Sequence, residues 1–149
     1  VNNLYKIATY LLLGIILSFI SIKLESSFVE KFSENILALL SALFAINIAN
    51  STIIASKLYE INKDLGLSFK STLKELKLSF YEQIILIAIV FVTGIIRESN
   101  YLHNEYGINC IKGISDSIIF FSFIYYVDIM IDLGKAIFNL INFDNNSKK

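Results

Sequence analysis

Three aspartates carry the spacing from which acid chemistry could be built. Asp128 and Asp132 stand four apart and share one helix face, and Lys135, three residues on, reaches either of them from an adjacent turn. Asp116 precedes Asp128 by twelve positions, about 18 Å along a helix. A carboxylate drawn into a membrane would mark an ion or proton path or a partner contact. Carboxylates held at the headgroups would only end and anchor a helix. Two nearby acids also suggest hydrolytic chemistry, but two-metal work needs more oxygen or nitrogen ligands, and no histidine lies near Asp128. His103 and Cys110 are the single histidine and single cysteine. They support no intrachain disulfide, zinc cluster or Cys/His pair. With no Gly-rich phosphate loop, helical zinc motif or strand-based cofactor signature, the expectation is a protein that is not an enzyme and holds no cofactor or metal.

The second set of residues is suited to helix association. Ala38, Ala42, Ala45 and Ala49 recur at four, three and four, a spacing at which small residues let two helices approach closely in lipid. Asn47, Asn50 and Ser51 add hydrogen-bonding groups beside them. An asparagine amide in hydrocarbon needs a partner. Packing within the chain, a contact between subunits and a wet, pore-like surface are the three settings that would supply one.

The elements that position these residues are membrane helices. Hydrophobic residues make up 55% of the 149-residue chain and charged residues 17%, with no proline and a mean hydropathy of +0.63. A soluble domain of this size exposes too much surface to hide that much apolar side chain. Four weakly charged segments stand out: about Tyr5 to Leu24, Ile36 to Ser56, Ile84 to Ile96, and Ile114 to Met130. A span needs roughly 20 residues. The third reaches that length only by taking in Tyr81, Glu82 and Gln83, of which Glu82 and Gln83 are expected to snorkel or to pair with Lys77. Arg97 and Glu98 are expected to cap its other end in water. The first segment has Lys6 ahead of its apolar run but no small-x-small cleavage pattern, so it reads as a retained helix rather than a signal peptide. The fold class is therefore an all-α, polytopic membrane protein with four transmembrane helices, one domain over residues 1–149. Tyr5, Tyr81 and Tyr101 suit interfacial anchoring.

With the N-terminus inside, the inner side receives nine of the Lys and Arg residues, Lys148 and Lys149 among them, and the outer side four. The positive-inside rule then sets both termini in the cytoplasm of a bacterial inner membrane. The long inner connection, residues 57–83, has helical character: Leu58, Ile61 and Leu65 continue the second helix and Gly66 is a stop. Beyond it, Phe69, Leu73, Leu76 and Phe80 form one face, and Lys70, Lys74 and Lys77 another. A Thr72/Glu75 capping box, or Ser68 or Ser71 as N-cap, would start that helix. An amphipathic segment over 129–143, with Leu133, Ala136, Ile137, Leu140 and Ile141, follows the fourth span, and the Asp144–Lys149 tail is expected to be mobile. Net charge is zero, with 13 basic and 13 acidic residues, so no direct nucleic-acid binding is expected.

This layout, with its uncharged spans, its Ala38/Ala42/Ala45/Ala49 and Asn47/Asn50 helix and its Lys-rich connection running Lys74-Glu75-Leu76-Lys77 to Gln83, resembles small four-helix membrane components of bacterial antiphage defence systems. The resemblance implies a protein that pairs with a cytosolic sensor or effector, docked on the inner connection and the C-terminal helix, or that itself disturbs the membrane. The alanine and asparagine stripe with the two amphipathic inner segments leads to the expectation of an oligomeric subunit in the lipid bilayer that recruits or responds to a cytosolic protein. Lys70, Lys74, Lys77, Asp116, Asp128 and Asp132 are its partner-contact or ion-path residues. A pore-forming effector using Asn47, Asn50 and Asp116 is the alternative.

Overall fold

A computed structural model describes residues 2–24, 27–66 and 69–147, with side chains placed for 4–24, 27–63, 66 and 69–139. The candidate cap Ser68, the charges Lys148 and Lys149, and the side chains of Leu65, Leu140 and Ile141 lie outside what is described. The chain forms five helices: α1 (Asn2–Lys23), α2 (Ser27–Leu65), α3 (Lys70–Arg97), α4 (Asn100–Tyr106) and α5 (Ile108–Ser147). There is no strand among the described residues. Stretches of α1, α2, α3 and α5 are long and apolar enough to cross a membrane: Leu4–Lys23, Ser27–Lys63, Lys70–Arg97 and Ile108–Asn139. The protein is an all-α membrane protein.

Nothing in the sequence breaks the helices where the hydrophobic runs end, so they run on. α2 has 39 residues and α5 has 40, each about 60 Å long against a hydrocarbon core of about 30 Å. Residues 57–65 are thus the end of α2, residues 70–83 the start of α3, and residues 129–143 part of α5. The tail stays helical to Ser147. α3 is 28 residues long, so the third span is not short: Tyr81, Glu82 and Gln83 sit well inside the helix. Its N-cap is Phe69, with no side-chain cap bond. Ser71 and Thr72 are already helical there and cannot adopt a capping conformation. α2 stops where Gly66 takes φ 67° and its N–H bonds the Asn62 carbonyl at 2.8 Å, a left-handed turn suited to glycine.

Successive long helices run in alternate directions, so the start of α1 and the end of α5 lie at one end and α4 at the other. α5 is the hub. α2, α3 and α5 share a core of Ile36, Leu40, Leu86, Val90, Ile119, Tyr126, Ile129 and Leu133, with Phe32 stacked on Phe120 and edge-on to Phe123. α1 rests on α5, burying only Gly14 and Ser18 along its described length. The outer faces of α1 and α3 present large apolar side chains, among them Leu12, Ile16, Phe19, Ile85, Phe91 and Val92, as lipid contact requires.

Candidate functional site

Polar residues gather at three levels of the bundle, and the helical period puts them there. On α3, Gln83, Leu86, Val90, Thr93 and Arg97 recur at three and four and are the buried residues of that helix. On α2 the inward face is Ile36, Leu40, Asn47, Ser51, Ile54 and Leu58. Gln83 and Asn47 therefore meet at one level, and Arg97 sits almost four turns away along α3.

At the inner level Gln83 is the junction. Its Oε1 accepts from Asn47 Nδ2 and from the Tyr126 hydroxyl, both at 3.0 Å, and its Nε2 donates to Ser79 Oγ at 3.3 Å. All three of Asn47, Gln83 and Tyr126 are shielded to 1% exposure or less. Gln83 thus neither snorkels nor pairs with Lys77, whose Nζ lies 5.8 Å from the Tyr81 ring centroid. The amide that Asn47 must satisfy is met within the chain. Gln83→Leu leaves two donors facing a methyl group, and a loss of about 1–3 kcal/mol is expected. Tyr126→Phe, which removes donor and bond together, should cost less than half of that. Reversible unfolding in mixed micelles measures both, and equal losses would show that the junction is not Gln83.

At the α4 end, Arg97 is buried rather than capping in water. Its Nε donates to Asp116 Oδ1 at 3.0 Å, and the two side chains are 6% and 8% exposed. Ser33 Oγ also donates to that oxygen at 3.3 Å, while Arg97 Nη1 reaches the exposed Glu98 at 3.0 Å. Asp116 is thereby paired within the chain, at the edge of an open pocket that Glu30, Asn109 and Lys112 also line. Ile36, Leu40, Leu86, Val90 and Ile119 lie between this pair and the Asn47–Gln83–Tyr126 level, with the side chains of Thr93 and Ser122 buried among them.

Near the termini, Lys6 of α1 bonds Asp128 at 3.2 Å and lies 3.8 Å from Asp132, and Lys135 pairs with Asp132 at 2.9 Å. The aspartate pair is a clasp for α1, a role that no local spacing reveals. These groups are largely exposed, so each pair contributes little by itself. Lys70, Lys74 and Lys77 are exposed along α3.

The alanines do something different from the asparagine among them. Ala38, Ala42, Ala45 and Ala49 are all exposed, on the side of α2 opposite Asn47, and Asn50 is half-buried at the flank. The intrachain close contact falls elsewhere, where Gly14 and Ser18 of α1 cross Gly113 and Ser117 of α5, and Ser18 Oγ donates to the Gly113 carbonyl at 2.8 Å. Both pairs show the small-xxx-small spacing in the sequence, where the longer alanine series overshadowed them. No metal-binding group of three or more His, Cys, Asp or Glu side chains occurs among the described residues.

No protein-family model, curated protein or solved structure matches the chain. Its own geometry is what bears on function.

Proposed function

We propose that the chain is a non-enzymatic membrane subunit that self-associates through α2 and recruits or responds to a cytosolic protein. The observation that carries this is the outward alanine stripe. The intrachain contacts of α2 are made by its other side. Four alanines on the lipid side offer little contact area to acyl chains but let a second backbone approach. The excess of Lys and Arg on the side of the termini supports a bacterial inner-membrane orientation with both termini in the cytoplasm. In that orientation the ends of α2 and α5 and the start of α3, with Lys70, Lys74 and Lys77, reach past the lipid as the surface for a partner. The shared layout with membrane components of antiphage defence systems supports a role in such a system. The pore-forming alternative has less support, because Asn47 and Asp116, two of its candidate lining residues, are bonded inside one chain.

The test is the mass of the complex after affinity capture in gentle detergent, with every retained protein identified. A defined oligomer carrying a cytosolic protein is expected. Ala42→Leu and Ala45→Leu should each reduce the oligomer to monomer while leaving insertion and thermal stability unchanged, since the added side chain points away from the core. An unchanged mass in both variants sinks the α2 reading.

A further inference from the structure

The stripe has features that fix how a second copy would sit. Taking about 100° per residue, Ala38, Ala42, Ala45, Ala49 and Ser56 fall within an arc of about 60° directly opposite the core-facing Asn47. The stripe runs from Ala38 to Ser56, about 27 Å, close to the full thickness of the hydrocarbon. At its two ends stand charges of opposite sign, three residues apart. They are Lys31 and Glu34 at the end near α4, and Glu60 and Lys63 at the other, all exposed. Each pair straddles the line of the stripe, with the positive residue on one shoulder at one end and on the other shoulder at the other end. Lys31, Glu34 and Lys63 make no ion pair among the described residues, and Glu60 bonds only its neighbour Lys57.

A second, independent feature lies beside the stripe. Between α2 and α3 runs an open groove of about 620 Å³ lined by Phe44, Ile48, Ser51, Thr52, Phe80 and Ile84. The Ser51 hydroxyl on its wall is 2% exposed and, like those of Ser115 and Ser122, has no hydrogen-bond partner among the described residues. Thr9, Thr52, Thr93 and Ser117, by contrast, return their protons to the carbonyl four residues back at 2.8 to 2.9 Å. The chain thus leaves an open, largely apolar recess on one shoulder of the stripe. On the other shoulder it leaves two large exposed side chains, Ile46 and Ile53.

We propose that two copies, inserted in the same direction, pack α2 against α2 in parallel about a two-fold axis along the membrane normal. In this arrangement each Lys31 faces Glu34 of the second copy, each Glu60 faces Lys63 of the second copy, and Ile46 and Ile53 of one copy enter the α2/α3 groove of the other. This rests on the self-association proposed above and specifies its partner and register. A two-fold axis brings opposite shoulders of the same helix together, and both the charges and the recess-and-projection pattern are complementary across those shoulders. Headgroups against the same face would solvate these charges, but only a second copy matches the reversal of their signs between the two ends.

Single cysteines placed in full-length protein carrying Cys110→Ser, oxidised in the native membrane, test the register. Ala45→Cys and Ala49→Cys should form disulfide-linked dimers in high yield. Ile16→Cys on α1 and Val92→Cys on α3, both exposed to lipid, should not. Lys31→Glu should weaken the dimer about threefold to tenfold, and adding Glu34→Lys should restore it. Dimers cross-linked at Ile16 or Val92 instead, with a persisting oligomer mass, would overturn this arrangement and leave self-association intact. A monomeric mass with no cross-link at any position would overturn both.

Discussion

Replacing Gly14 with alanine should loosen α1 from the bundle, and replacing it with isoleucine should detach it. A Cβ at this position would stand 2.6 Å from the Ser117 carbonyl oxygen and 3.0 Å from the Phe121 nitrogen. Both are backbone atoms of a helix and cannot rotate aside, so the two helices must move apart. α1 packs on α5 along its length, with Tyr10 and Tyr125 rings 6.1 Å apart, so a forced separation falls on the interface that holds it. Ser18 would lose its bond to the Gly113 carbonyl, and the exposed Lys6 clasp is too weak to compensate. A loss of about 1–3 kcal/mol is expected for the alanine variant, in the range for overpacking, and more for isoleucine. Gly113 supplies the control: its added methyl would meet only the tip of Ile22, a flexible side chain, at 3.0 Å, so Gly113→Ala should change stability by less than half as much. Unfolding in mixed micelles, followed by protease cleavage after Lys23, reports stability and α1 release separately. Equal effects at the two glycines would mean that α1 and α5 do not cross where the structure has them.

The contrast between the two glycines also shows where the sequence is informative and where it is not. The four spans are readable because lipid demands long uncharged runs, and the Gly66 stop because only glycine sits comfortably at that backbone angle. The Asp132–Lys135 pair is readable because three residues along a helix bring side chains together whatever else the chain does. What escaped is set by tertiary packing. Gln83 and Arg97 flank an apolar run, which is also where snorkelling and capping residues stand, and local sequence cannot separate these roles. The usable signal was the period: 83, 86, 90, 93 and 97 repeat at three and four, placing both polar residues on the face that packs inward. The partners of Arg97 and Lys6 lie 19 and 122 residues away, distances over which spacing says nothing. The alanine stripe and Asn47 lie side by side in sequence at 45, 47 and 49, yet successive residues turn by about 100° and the two sets end on opposite sides of α2.

The buried Arg97–Asp116 pair should give the other large effect, and its sign depends on how the pair is removed. Arg97→Ala leaves the Asp116 carboxylate enclosed, with the Ser33 hydroxyl as its remaining side-chain donor among the described residues. Asp116→Ala leaves a guanidinium enclosed, with only the exposed Glu98 beside it. Either single change should cost about 3–5 kcal/mol, because an uncompensated charge in a poorly polarisable surrounding loses the partner that made its desolvation tolerable. The double replacement Arg97→Met/Asp116→Leu removes both charges and keeps most of the volume beside Ile36, Val90 and Ile119. It should recover most of the stability lost by either single variant, and it can exceed the parent. Arg97→Lys should be intermediate, since a point charge replaces the planar donor whose Nε now reaches Asp116. The double-mutant cycle separates this account from its rival. If Arg97 and Asp116 only packed against their neighbours, the two losses would add. A double variant as unstable as the sum of the single ones would therefore reject a buried ion pair, whereas recovery would identify its role as fixing how α3 meets α5 rather than adding net stability.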